Sequence, residues 1–178
     1  MDGNENFEKS FWFLMDLEGG YSNIAADVGG ETKFGISKRS YPDVDIKNLT
    51  ADAAKGIYWS DFWAPLALDE VSSWRVAAEV FEMSVHGGKR WGVRLTQQAL
   101  NMFFAARDQT KLIEDGLMGP KTLGALNNVI DHDGERKLIA AINLRQGIRL
   151  VHLAESNPKA YGWALIGWLR RLTPVGMD

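Results

Sequence analysis

The sequence predicts a mainly helical α+β protein with one small β element. Three observations carry that reading. Apolar residues recur at helical spacing along most of the chain, the mark of amphipathic helices. One stretch, residues 21–37, breaks the period: Gly29-Gly30 sits between short polar runs, and Thr32, Phe34 and Ile36 alternate after it, as in a small hairpin or looped sheet. Glycines, prolines and hydroxyl side chains fall between the periodic stretches, where helices must stop and start.

Taken in order, Phe7, Phe11, Leu14 and Glu18 lie on one face of a first helix, opened near Asn6 and stopped by Gly19-Gly20. Tyr41-Pro42-Asp43 marks a turn after the β element. Thr50 is placed to cap a helix through Ala53, Ile57 and Tyr58 towards Phe62, with Pro65 beyond it. Ser72 or Ser73 caps the next, through Val76, Val80, Phe81 and Met83 to Gly87-Gly88. A helix from about Trp91 to Ala106 puts Leu95, Ala99, Met102 and Phe103 together. Asp115-Gly116 and Gly119-Pro120 make a tight turn, and Pro120 suits the first position of a helix through Leu123 and Leu126. A long segment from about Glu135 to Ala154 groups Ala141, Leu144, Ile148 and Val151, and Pro158 precedes a last aromatic helix from Tyr161 to Leu172.

Composition narrows the chemistry. The 178 residues contain no cysteine, which excludes disulfides, thiolate metal sites and a cysteine nucleophile. Three separated histidines (86, 132 and 152) argue against a histidine metal centre, and the Asp27–Glu31 loop lacks the alternating oxygen ligands of a calcium loop, so no metal and no cofactor are expected. No apolar run approaches the roughly 18 residues of a membrane span. The acidic start, Met1-Asp2-Gly3-Asn4-Glu5, lacks the basic region of a secretory signal, so no such signal is expected. Residues 1–86 carry 7 basic and 15 acidic side chains, and residues 87–178 carry 13 basic and 8 acidic. The second half therefore tolerates an anionic partner, although its charge is modest beside that of nucleic-acid binders, and no nucleic acid is expected.

Glu18 stands out on physical grounds. It continues an apolar stripe and sits at a helix C-terminus, where exposed carbonyls disfavour an anion. Both effects raise a carboxyl pKa, as a general acid requires. Asp27, nine residues on, is a second carboxylate for the pairing that glycoside hydrolysis uses, or a cap for its own turn. Thr32 offers a hydroxyl that can hold water, or simply suits a strand.

The run Glu18-Gly19-Gly20-Tyr21, followed by Asp27-Val28-Gly29-Gly30-Glu31-Thr32-Lys33-Phe34-Gly35-Ile36-Ser37, resembles the opening motif of glycoside hydrolase family 108. Those proteins are N-acetylmuramidases, many of them phage endolysins. The resemblance implies a lysozyme-like fold and puts the catalytic glutamate on Glu18. The Glu, Asp, Thr order is also similar to the triad of phage lysozymes in another family, which implies Asp27 and Thr32 as its partners. Ile57-Tyr58 and Phe62-Trp63 resemble a further segment of the family. Phe81 to Gly88 resembles another, from which Glu82 and His86 depart: His86 stands where an asparagine is usual and would have to replace it as donor or acceptor. Asp115-Gly116-Leu117-Met118-Gly119-Pro120-Lys121-Thr122, with Gly167-Trp168-Leu169-Arg170-Arg171, resembles the predicted peptidoglycan domain that follows these muramidase domains. The implied organisation is a muramidase domain over 1–91 and a helical peptidoglycan-binding-like region over 92–178, packed on it.

Aromatic rings stack on sugars, and Tyr21, Tyr58, Trp59, Trp63, Trp163 and Trp168 are the candidates. Most aromatics at helical spacing are core, so no more than about two or three of these are expected to touch sugar, and Tyr58 and Trp63 lead because they lie in the resembling segment. The expected substrate-binding set is thus Tyr21, Tyr58, Trp63 and His86. Arg145, Arg149 and His152 form a row suited to anionic groups or to plain solvation. The function expected is hydrolysis of the β-1,4 bond between N-acetylmuramic acid and N-acetylglucosamine in peptidoglycan, by an endolysin-type monomer held in the cytoplasm before release. Membrane contact is left open. Two alternatives stand beside it: a lytic transglycosylase on the same bond, which uses no water, and a non-catalytic wall-binding or secretion accessory protein.

Overall fold

The computed structural model describes residues 3–18 and 31–172. The helices are α1 (Gly3–Glu18), α2 (Ala51–Tyr58), α3 (Trp74–Gly87), α4 (Lys89–Ala106), α5 (Pro120–Asp133), α6 (Glu135–Ser156), α7 (Pro158–Tyr161) and α8 (Leu165–Trp168). Strands β1 (Thr32–Lys33) and β2 (Ile36–Ser37) form an antiparallel pair between α1 and α2, with Thr32 opposite Ser37 and Lys33 opposite Ile36. The fold is therefore mainly helical α+β, with its small sheet at the end of the stretch where helical periodicity lapses.

α3 is the central helix and packs against α1, α4 and α6. That position explains why every residue from Val76 to Ser84 is buried, two glutamates included. Helix α1 lays Phe7, Phe11 and Leu14 against this core. Phe7 meets Trp63 and Phe81 edge to face, and Phe81 meets Trp63 and Tyr58 in the same manner, the arrangement aromatic quadrupoles favour. α3 and α4 cross closely because Gly92 has no side chain: a Cβ there would lie 2.3 Å from the Ser84 hydroxyl oxygen.

Local capping chemistry behaves as expected. The Thr50 hydroxyl accepts from the Ala53 amide at 3.2 Å, Ser73 accepts from Val76 at 3.3 Å, and Pro120 opens α5. Three expectations need correction. The helix from Thr50 does not continue regularly to Phe62. After Tyr58 it loosens into a π turn (Trp59–Trp63) and then a 3₁₀ turn, as Pro65 approaches. On α6, Ala141 is buried, but Leu144, Ile148 and Val151 face solvent. The buried face carries Leu138, Ile139, Ile142 and Leu150 together with Asn143 and Gln146. Those two amides donate to the buried carboxylates of Glu79 (3.3 Å) and Glu82 (2.8 Å) on α3, so polar pairing helps choose the face that the apolar spacing missed. The last aromatic helix is likewise broken into α7, α8 and a 3₁₀ turn (Leu169–Leu172), with Gly162 and Gly167 among its residues.

The Asp115–Thr122 motif is a turn stapled to α4 by a buried amide. The Gln97 side chain donates to the Asp115 carboxylate at 2.9 Å and to the Thr122 hydroxyl at 3.1 Å, and its oxygen accepts from the Gly116 amide at 2.9 Å. Gly116 adopts φ +75°, where glycine is favoured, and a Cβ there would meet the Arg90 carbonyl. The hydrogen bonds from Gln97 and from the Leu117 amide hold the Asp115 carboxyl below its ordinary pKa.

Candidate active site

α1 ends at Glu18, after its apolar stripe has entered the core. The Glu18 side chain lies outside the described residues, as do Tyr21 and Asp27 entirely. The residue just before it, Leu17, is described, and the surroundings of the helix end can be read from there. Its carbonyl, one of those that helix geometry leaves without an intrahelical donor, accepts from the Arg170 guanidinium at 3.1 Å. A cation at a helix C-terminus complements the partial negative charge there.

Next to Leu17 opens a cavity of about 250 Å³, lined also by Trp163, Gly167, Trp168, Arg170 and Arg171. Every one of these except Leu17 comes from the last turns of the chain. Trp163 is 82 % exposed, and its indole N–H is spent on the Ala160 carbonyl at 2.9 Å. Trp168 stands edge-on to His86, with ring centres 5.8 Å apart, and tilted against Tyr161 at 5.9 Å. Arg171 turns inward to Glu82, a carboxylate 1 % exposed, with nitrogen and oxygen 2.5 Å apart.

His86, expected to touch substrate, is half-buried beside this cavity. Burial lowers its pKa to about 4, helped by the positive charges of Arg171 and Arg149. It is therefore a neutral imidazole at neutral pH, able to donate at one nitrogen and accept at the other. Arg149 stacks on the Trp91 ring with its guanidinium carbon 3.7 Å from the ring centre, and burial lowers its pKa. The basic row on α6 is thus not uniform: Arg149 is engaged in stacking, the Arg145 Nε is buried, and His152 is exposed.

Thr32 is half-buried at the start of β1. Tyr58 and Trp63 correct the sequence reading: they are 2 % and 0 % exposed, in the core, where neither ring has a face for a sugar. The Tyr58 hydroxyl donates to the Phe34 carbonyl at 2.9 Å, pinning the hairpin turn in which Phe34 and Gly35 both have positive φ. The Trp63 indole donates to Asp69 at 2.6 Å. Among the described residues the rings at the cavity are instead Trp163 and Trp168, which the sequence offered but placed second. Arg170 was missed as a site residue, although it lies in the Gly167–Arg171 motif; nothing in sequence spacing says that this motif returns to the end of α1.

Residues 11–88 match the family model Glycosyl hydrolase 108, and residues 91–173 match the model Predicted Peptidoglycan domain. No curated protein matches the chain. Among solved structures, that of Brucella abortus SagA is similar in fold, with a TM-score of 0.65 over 98 % of this chain and 98 % of that one at 22 % identity. The chain thus carries a glycosyl hydrolase 108 domain over residues 11–88 followed by a predicted peptidoglycan domain over 91–173, an order that supports a peptidoglycan-hydrolysing glycosidase.

Proposed function

We propose that the protein is an N-acetylmuramidase that hydrolyses the β-1,4 bond between N-acetylmuramic acid and N-acetylglucosamine, with Glu18 as general acid. The observation that supports this is the position of Glu18. It closes a helix whose apolar stripe is buried and whose preceding residue, Leu17, lines a cavity walled by tryptophans and arginines. A carboxyl at a helix C-terminus is biased towards its protonated form, ready to pass a proton to the departing glycosidic oxygen. Asp27 and Thr32 take the water, or Asp27 stabilises the developing positive charge on the sugar.

The role proposed with it is that of an endolysin, a monomer that waits in the cytoplasm and reaches the wall once the inner membrane is opened. The resemblance of the Glu18–Ser37 run supports that reading. Its check is expression inside a bacterial cell: lysis is expected only when a pore-forming protein is co-expressed, and lysis without one counts against it.

Digestion of purified sacculi, followed by mass spectrometry of the products, tests the chemistry. Reducing-end N-acetylmuramic acid is expected. A 1,6-anhydro product would mean transglycosylation, reducing-end N-acetylglucosamine would mean the other glycosidic bond, and no cleavage would leave a wall-binding protein.

A further inference from the structure

The cavity beside Leu17 has features that general acid catalysis does not require. At about 250 Å³ it falls below the roughly 300–1,000 Å³ of pockets that enclose a whole small ligand. It suits one unit or one side branch of a polymer lying across it. Its lining is two-natured. Trp163 keeps its ring faces in solvent while its only hydrogen-bond donor is satisfied internally, so an apolar surface is what it offers. Arg170 is exposed, and among the described residues it has no carboxylate partner; one guanidinium nitrogen binds the Leu17 carbonyl. The neighbouring Arg171 is paired with Glu82. The cavity thus combines an aromatic face with one arginine whose fork-shaped set of donors matches a carboxylate.

We infer that the Trp163–Trp168–Arg170 cavity is a subsite for the carboxylate-bearing peptide stem of a muramoyl residue, held beside the Glu18 end of α1. The inference rests on the hydrolase reading above and adds what that reading leaves open: the enzyme senses whether the glycan carries its peptide. Trp163 and Trp168 pack against the apolar faces of the sugar and the stem, and Arg170 binds a stem carboxylate. The second half of the chain then binds substrate in the cavity that Leu17 lines, one position before the proposed acid, rather than as a distant wall anchor. Glycan without its stem, and with its lactyl carboxylate capped, fills only the apolar part of the cavity, whereas stem-bearing glycan also meets the cation.

The experiment compares kcat/KM of the full chain on intact peptidoglycan strands and on the same strands stripped of peptide by an amidase, with the lactyl carboxylates that this hydrolysis frees capped as amides. The variants are Arg170→Gln, whose amide can still donate to the Leu17 carbonyl but carries no charge, and Arg170→Lys, which keeps the charge. Thermal melting checks that both fold. The wild type is expected to favour intact strands. Arg170→Gln should lower the intact-to-stripped ratio about tenfold, the loss of roughly one charge-assisted hydrogen bond, and Arg170→Lys should keep most of the ratio. A wild type without preference overturns the inference, as does an Arg170→Gln ratio equal to that of the wild type. If the wild type releases no reducing ends from either substrate, the hydrolase reading itself fails. Cosedimentation with the two strand types then decides the subsite alone: binding that prefers intact strands and loses the preference in Arg170→Gln upholds it, and equal binding ends it.

Discussion

The Arg171 guanidinium lies 2.5 Å from the carboxylate of Glu82, a residue 89 positions earlier in the chain and buried in the middle of α3. Glu82 also accepts from Gln146 on α6. One carboxylate therefore gathers three separate parts of the chain: the central helix, the long helix, and the final turns that carry the cavity lining. A carboxylate in that position needs such partners, because an uncompensated charge in the interior is costly.

Arg171→Met should destabilise the protein by about 3–5 kcal/mol, the usual cost of removing one partner from a buried ion pair. The double variant Glu82→Gln/Arg171→Met should recover part of that loss, since the buried charge goes with its partner. Urea unfolding of the two variants and of Glu82→Gln completes the cycle. A loss below about 1 kcal/mol for Arg171→Met would put this pair in the class of surface contacts.

His86 sets a pH dependence. Its folded pKa of about 4 lies below the ordinary histidine value of 6.5, so between those values the unfolded chain takes up a proton that the folded chain refuses. Its contribution to stability is complete above pH 6.5, falls as pH drops through that window, and levels off below about pH 4. His86→Asn should therefore flatten the stability-versus-pH curve in this window. Parallel curves for wild type and variant would show that His86 is not the group responsible.

Gln97→Leu should loosen the Asp115–Thr122 turn. The substitution removes hydrogen bonds to Asp115, Gly116 and Thr122 from a buried position. The expected loss is about 1–3 kcal/mol, dominated by the Gly116 amide left without its acceptor. Amide hydrogen exchange should accelerate at Gly116 in particular; slow exchange there in the variant would contradict the staple.

Glu18→Gln should reduce muralytic activity by about 10²–10⁴-fold, because the amide keeps the shape but has no proton to give. Stability should hold or rise, since a carboxylate at a helix C-terminus is unfavourable. Asp27→Asn should cost less and Thr32→Ala least, in keeping with roles in orienting water. Product release from sacculi measures all three, and a Glu18→Gln protein that retains near-full activity would remove the proposed acid.

The legible parts of the fold are those written in neighbouring residues. Thr50, Ser73 and Pro120 mark helix starts because a cap acts within three positions, and the stripe of Phe7, Phe11 and Leu14 marks a buried face because few polar residues compete for it. The rest depends on partners far away in sequence. The buried face of α6 is set in part by Glu79 and Glu82, more than sixty positions earlier. Tyr58 and Trp63 lie in a segment resembling the family, yet they serve the hairpin and the core. At the candidate site, Glu18 stands out from its own helix, whereas Arg170 and Trp163 become site residues only once the chain end folds back to Leu17.

The contact of Gly92 with Ser84 also bears on engineering. Anyone exchanging one half of the chain for another would be drawn to a cut near residue 90, between the matched segments 11–88 and 91–173. That cut would separate two helices whose backbones touch because one side chain is missing. A chimera bringing any larger residue to position 92 drives its first carbon into Ser84. Working hybrids from this scaffold must inherit both sides of that crossing from one parent, and the place to splice lies elsewhere, in an exposed loop such as the stretch around Gln109, between α4 and the Asp115 turn.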